Sequence, residues 1–332
     1  MANGESKMIL LCFGTRPEWL KIKPLTKVLK DYKLLFTGQH TDLLHDIEVD
    51  YKININDGDN RLDRVVADCM LQFPEGDFDT VLVQGDTASA FACGLAAFHR
   101  QLRLVYLEAG LRTGDLKNPY PEEGYRQMIA RIASINLCPT NLSITNLVHE
   151  RTIGQKFVVG NTVLDNLLSY KEKCWYTPTV LITMHRRENH AQMSEWFTAI
   201  NDIAKKHSHL NFVFPIHPNP NVQKHKNLLT HVNVIEPLEY NELLNMLVKC
   251  KFVITDSGGL QEEGSFFNKR VIVCRKTTER PEGLSTGHSI MCLSPKELKN
   301  IVEIVNDDYI IKEECPYGDG RSAQRIKDIL EK

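Results

Sequence analysis

Two successive runs of short apolar strands alternating with helical segments predict an α/β fold: two Rossmann-like domains with a cleft between them. The strand candidates are β-branched or leucine-rich and end in Gly or charge, as buried parallel strands do. A length of 332 residues suits two such domains.

The first run comprises Met8 to Phe13, Lys33 to Thr37, Thr80 to Gln84 and Leu102 to Leu107 as strands. Helical spacing connects them over Trp19 to Tyr32, Leu62 to Gln72 and Ser89 to His99, and continues over Tyr125 to Ser134. The rhythm then breaks near Ser169 to Pro178, which sets the domains at 1–170 and 171–332, with the last helix packing back on the first domain. The second run reads Val180 to Thr183, Phe212 to Phe214, Val232 to Ile235, Phe252 to Thr255 and Val271 to Cys274 as strands. Its helices are Met193 to Lys206, Asn221 to Leu229, Tyr240 to Lys249 and Leu260 to Phe267.

Composition narrows the function. A formal net charge of −2 leaves no electrostatic footprint for nucleic acid or an anionic membrane surface, so neither is expected as a partner. No apolar run approaches bilayer length, and Met1 to Lys7 lacks a signal-peptide pattern, so a cytoplasmic location is expected. The nine cysteines form no C-x-x-C pair, which argues against a disulfide framework and a zinc ribbon; no metal site is expected.

Ligands of open parallel sheets gather beyond the carboxyl ends of the strands. Arg16, Asp86, Glu108, His185 and Asp256 all follow strands and point to one polar cleft. Gly14 to Glu18 with Lys21 offers a glycine turn, a helix start and two cations, which suits a phosphate; a plain turn with solvated charges competes. Ser257, Gly258 and Gly259 let backbone amides approach a diphosphate, and Glu263 one turn on accepts from ribose hydroxyls. Within Leu107 to Arg126, Glu122 and Arg126 fall one turn apart on one helical face while Glu123 points elsewhere; a surface salt bridge is the alternative. His185 and His217 close successive strands without metal-ligand spacing. Carboxylates beside two phosphate-suited turns indicate acid/base chemistry on a phosphorylated small molecule.

At these residues the sequence resembles the non-hydrolysing UDP-N-acetylglucosamine 2-epimerases. The matching blocks are Gly14 to Glu18, Thr37 to His40, Gln84 to Thr87, Glu108 to Arg126, Val159 to Thr162, His185 to Asn189, Asp256 to Glu263, Thr278 to Glu282 and Tyr317 to Gly320. The resemblance implies the GT-B arrangement of two domains, no cofactor, a UDP-sugar substrate and a homodimer. It implies inversion at C2 by anti elimination of UDP to 2-acetamidoglucal and re-addition. By position, Asp86, Glu108 and Glu122 become the acid/base carboxylates, crowded enough to raise one another's pKa, and His185 a catalytic or phosphate-contacting imidazole. Arg16 and Lys21 stabilise the leaving diphosphate, and Arg126 and His217 join the substrate contacts. Some bacterial members bind a second UDP-N-acetylglucosamine as activator through a Gln-His-Arg-Gln-like segment. Here the segment reads Gln39-His40-Thr41-Asp42, with Arg61, Arg186 and His217 at other contact positions, and Asp42 repels a diphosphate.

Overall fold

The computed structural model describes residues 8–40, 47–171, 176–307 and 311–332. The chain forms two compact units, Met1–Asn166 with Gly318–Lys332, and Leu167–Tyr317.

In the first unit the order is β1 (Ile9–Phe13), α1 (Arg16–Thr26), β2 (Tyr32–Phe36), β3 (Tyr51–Lys52), α2 (Arg61–Leu71), β4 (Thr80–Gln84), α3 (Ala88–His99), β5 (Arg103–Leu107), α4 (Glu122–Ile132), β6 (Ile135–Cys138), α5 (Asn141–His149) and β7 (Gln155–Val158). The second unit contains α6 (Leu168–Lys171), β8 (Thr179–Thr183), α7 (Met193–Lys206), β9 (Asn211–Pro215), α8 (Pro220–Gln223), β10 (Asn233–Ile235), α9 (Tyr240–Lys249), β11 (Phe252–Thr255), α10 (Gly258–Phe266), β12 (Arg270–Val273), α11 (Glu282–Ser285), β13 (Ser289–Met291) and α12 (Pro295–Asn306). The final helix, α13 (Ser322–Leu330), belongs to the first unit.

Both sheets are parallel, ordered β3-β2-β1-β4-β5-β6-β7 and β10-β9-β8-β11-β12-β13. Each chain run goes outward from its first strand and then returns to that strand's other side. The order therefore reverses between β1 and β4 and between β8 and β11, and these switch points are where such sheets leave a crevice.

The first sheet is buried on both faces, which explains its unbroken apolar strands. One face, with Leu104 and Tyr106 of β5, packs on α2 to α4. The other, with Val105 and Leu107, packs on α1 and on Ala323, Ile326 and Leu330 of α13. Burying an Ile or Leu side chain contributes roughly 2 kcal/mol, which ties the C-terminal helix to this sheet. The Asp165 carboxylate accepts the amides of Ser322 and Ala323 at 3.0 and 2.7 Å and caps that helix. No helix of the described residues is long and apolar enough to cross a membrane.

Candidate active site

In the first unit the turn after β1 is closed on itself. Glu18 folds back to accept the Gly14 amide (3.0 Å) and the Thr15 hydroxyl (2.8 Å), and its other oxygen accepts the Thr87 hydroxyl (2.6 Å). Burial raises the Glu18 pKa, with those hydrogen bonds opposing it. This corrects the amide part of the phosphate cradle expected from the sequence: a carboxylate already accepts the Gly14 amide at the start of α1, while Lys21 points to Glu108. Arg16 is exposed at the same helix start.

Glu108 follows β5 with φ at 67°, a left-handed conformation that strains a non-glycine residue. Strict alternation along β5 would place its side chain on the Tyr106 face. The left-handed turn instead delivers the carboxylate to the α1 side. There Lys21 Nζ donates to both oxygens at 2.5 and 2.6 Å, Gln84 Nε2 donates at 2.5 Å and Asn161 Nδ2 at 3.1 Å. Glycines supply the flanking positive φ values, at Gly85 (75°) and Gly110 (89°).

Asp86, one turn past β4, forms a second knot on the α4 side. Arg126 donates to its Oδ2 from Nε (2.8 Å) and Nη2 (2.5 Å). Arg126 Nη1 also reaches Glu123 at 3.3 Å, and Glu123 accepts the amides of Thr113 and Gly114. The reading of Glu123 as pointing elsewhere is therefore wrong, as is the pairing of Arg126 with Glu122. Helix α4 begins at Glu122, so Glu123 and Arg126 stand three positions apart on one helical turn, and Glu123 is the one turned into the protein. Glu122 belongs to neither knot, and its Oε2 is buried with no hydrogen-bond partner among the described residues. The carboxylate crowding expected from the sequence gives way to two ion pairs, Glu108 with Lys21 and Asp86 with Arg126.

The second unit repeats the logic at its own switch point. Asp256, fully buried, accepts the backbone amides of His185 and Arg186 and the Asn189 amide group, so it braces the loop after β8 and is not itself an open site group. That brace presents His185, whose ring stacks on His217 with centroids 5.0 Å apart. Burial holds the His185 imidazole below its ordinary pKa; His217, Arg186 and His190 add to this while Asp256 opposes it. At α10 the Ser257 amide donates to Thr255 Oγ1 at 2.9 Å, and Gly259 is exposed with open space where a Cβ would stand. A Cβ on Gly258 would meet the Arg280 guanidinium at 2.7 Å, so a larger residue there would displace that side chain. Arg280 is held by Glu262 at 2.6 Å and by Glu279. Glu263 accepts from the Tyr240 hydroxyl at 2.7 Å.

Of the residues read as an activator site, Gln39, His40 and Arg61 come together in the first unit. Arg61 Nη2 reaches the Gly38 and Gln39 carbonyls at 3.4 and 3.3 Å, and Gln39 Oε1 accepts from the amide and hydroxyl of Ser89. Arg186 lies in the second unit, and Thr41 and Asp42 lie outside the described residues. Sequence reasoning missed Gln84, Asn161 and Glu123 as site residues. Each sits inside a block that carries the family resemblance, which was the available signal.

Comparison with known proteins agrees with this fold. The family profile described as UDP-N-acetylglucosamine 2-epimerase matches residues 26–331. The chain is 35% identical to the UDP-N-acetylglucosamine 2-epimerase of Campylobacter jejuni, over 98% of this chain and 97% of that one. It is similar to the crystal structure of UDP-GlcNAc 2-epimerase from Neisseria meningitidis bound to UDP-GlcNAc, with TM-score 0.85, 31% identity and coverage of 97% and 99%. It also resembles the Methanocaldococcus jannaschii UDP-GlcNAc 2-epimerase solved with UDP-GlcNAc and UDP, with TM-score 0.80, 27% identity and the same coverage.

Proposed function

The chain belongs to the UDP-N-acetylglucosamine 2-epimerase family, and we propose that it interconverts UDP-N-acetylglucosamine and UDP-N-acetylmannosamine without hydrolysis. The observation that carries this reading is the left-handed Glu108, whose carboxylate is strained into place and held by Lys21, Gln84 and Asn161. Strain at a strand end in a crevice is characteristic of a residue that does chemistry.

The reaction follows from the substrate. The C2 proton of the sugar is adjacent to no carbonyl, so its removal needs a leaving group on C1. A carboxylate takes that proton as the C1–O bond breaks, the electron pair leaves with UDP, and 2-acetamidoglucal remains. Returning UDP to C1 with a proton on the opposite face of C2 gives the epimer. Asp86, Glu108 and Glu122 supply the acid and base, and Lys21 moves between Glu108 and the departing charge. His185, His217, Arg16 and Arg126 contact the diphosphate and sugar. Ser257, Gly258 and Gly259 hold the nucleotide's phosphates, and Glu263 its ribose.

The test is incubation with UDP-N-acetylglucosamine in deuterated water, followed by NMR. Deuterium at C2 of both nucleotide sugars supports the proposal. Release of free N-acetylmannosamine with UDP would assign a hydrolysing reaction instead. Turnover confined to a 6-deoxy substrate would reassign the sugar.

A further inference from the structure

The blocks around Asn161 and Gly318 lie far apart in sequence and meet within the first unit. A Cβ on Gly318 would stand 3.2 Å from the Gly160 Cα and 3.6 Å from the Asn161 nitrogen, so backbone is pressed on backbone there. Asn161 is buried, and both ends of its side chain are engaged. Its Oδ1 accepts the Val163 amide at 3.1 Å, which turns its Nδ2 to donate to Glu108 Oε1, also at 3.1 Å.

The returning chain holds this loop on either side of Asn161. Before it, Arg325 Nη1 donates to the Val159 carbonyl at 3.3 Å, and the Val159 side chain packs with Ala323, Ile326 and Leu330 of α13. After it, Asp165 accepts the first amides of α13, from Ser322 and Ala323. One residue further, Asn166 Nδ2 donates to the Leu20 carbonyl at 2.7 Å, next to Lys21, the other main partner of Glu108. A donor carried on a loop is only as precise as the loop's own supports, and a misplacement of 1 Å is enough to slow chemistry.

We propose that the C-terminal segment Gly318–Lys332 positions the acid/base carboxylate: by holding loop 159–165 it sets Asn161, and Asn161 fixes Glu108. Asn161 and Asp165 are then positioning residues, acting on the reaction without touching the substrate. This inference rests on the epimerase reading above.

Asn161→Ser leaves a hydroxyl that can accept the Val163 amide but is too short to reach Glu108. With UDP-N-acetylglucosamine, its kcat should fall about tenfold, the size of one hydrogen bond to a charged group, while KM changes little. Asp165→Asn removes one of the two acceptors at the start of α13, and its kcat should fall about threefold. In the double variant the two losses should not multiply, because both act through one side chain. Losses that multiply, or a lowered melting temperature with wild-type kcat in Asp165→Asn, would overturn the proposal. A wild-type protein that fails to invert C2 would overturn the epimerase reading alone, because a second measurement needs no turnover. Hydrogen exchange at the Val163 amide should be faster in Asp165→Asn than in the wild type, relative to the amides of β4, which report global opening. An unchanged ratio would sink the proposal whatever the enzyme's substrate. If Asp165→Asn does not fold, Arg325→Gln, which releases the Val159 carbonyl from an exposed side chain, is read in the same two ways.

Discussion

At Glu108 one backbone angle decides where the carboxylate stands. A residue at φ 67° is costly for any side chain but glycine, and here it transfers a carboxylate from one face of the sheet to the other. Replacing Glu108 by Gln, or Asp86 by Asn, is expected to lower turnover by roughly a hundredfold or more, as for a positioned acid or base. UDP binding, measured by calorimetry, should survive both changes; near-wild-type rates in both would remove the acid/base assignment. The supporting glycines carry a separate cost. A Cβ on Gly110 would stand 2.2 Å from the Ser143 carbonyl oxygen, and the residue's φ of 89° is itself unfavourable for any side chain. Gly110→Ala should therefore lose about 2 kcal/mol or more in urea denaturation. The strand-end positions of Asp86 and Glu108 were legible in the sequence because charged residues closely following apolar strands are easy to find. Glu123 was not, since its role depends on where α4 begins, and helix starts are poorly marked when the preceding loop contains two prolines.

Among the elements, the central strands declared themselves through apolar runs: β4 and β11 begin and end where the sequence places them. The edge strands β3, β7 and β10, with partly exposed residues, lack that signal, and β3 and β7 went unread. Strand β6 was hidden by Asn136, buried in its middle, and β13 by its polar start at Ser289. The segment before β13 also carries a pH dependence. Burial, with Arg270 alongside, lowers the His288 pKa from 6.5 to about 4. Between those values the unfolded chain takes up a proton that the folded chain refuses, so stability is complete above the upper value and is lost as pH falls through the window. The loss is at most about 3 kcal/mol. Thermal melts over this range should show the decline in the wild type and a flatter curve in His288→Gln. A decline of equal depth in both proteins would place its origin in other groups.

For the molecule as a whole, the match to UDP-N-acetylglucosamine 2-epimerases spans nearly the full length of both chains, and kinetics can ask whether a second nucleotide sugar regulates this one. Gln39, His40 and Arg61 are gathered in the first unit, and Gln39 is fixed with its oxygen toward Ser89, so what its side chain has left to offer is the NH2 donor. The two positions that follow, Thr41 and Asp42, replace the arginine and glutamine of the activator-binding pattern. An aspartate near neutral pH offers a diphosphate only acceptors and a like charge, and a like charge at close range outweighs one amide donor. The expected outcome is that activation is weak or lost. The forward rate should then rise hyperbolically with UDP-N-acetylglucosamine, and the reverse reaction should start from pure UDP-N-acetylmannosamine without a lag. A sigmoidal forward curve, or a reverse reaction silent until a trace of UDP-N-acetylglucosamine is added, would show that Arg61 and its neighbours still bind an activator. Asp42→Gln then provides the converse check, because restoring a donor and removing the charge should bring back sigmoidal kinetics if this substitution is what abolished them.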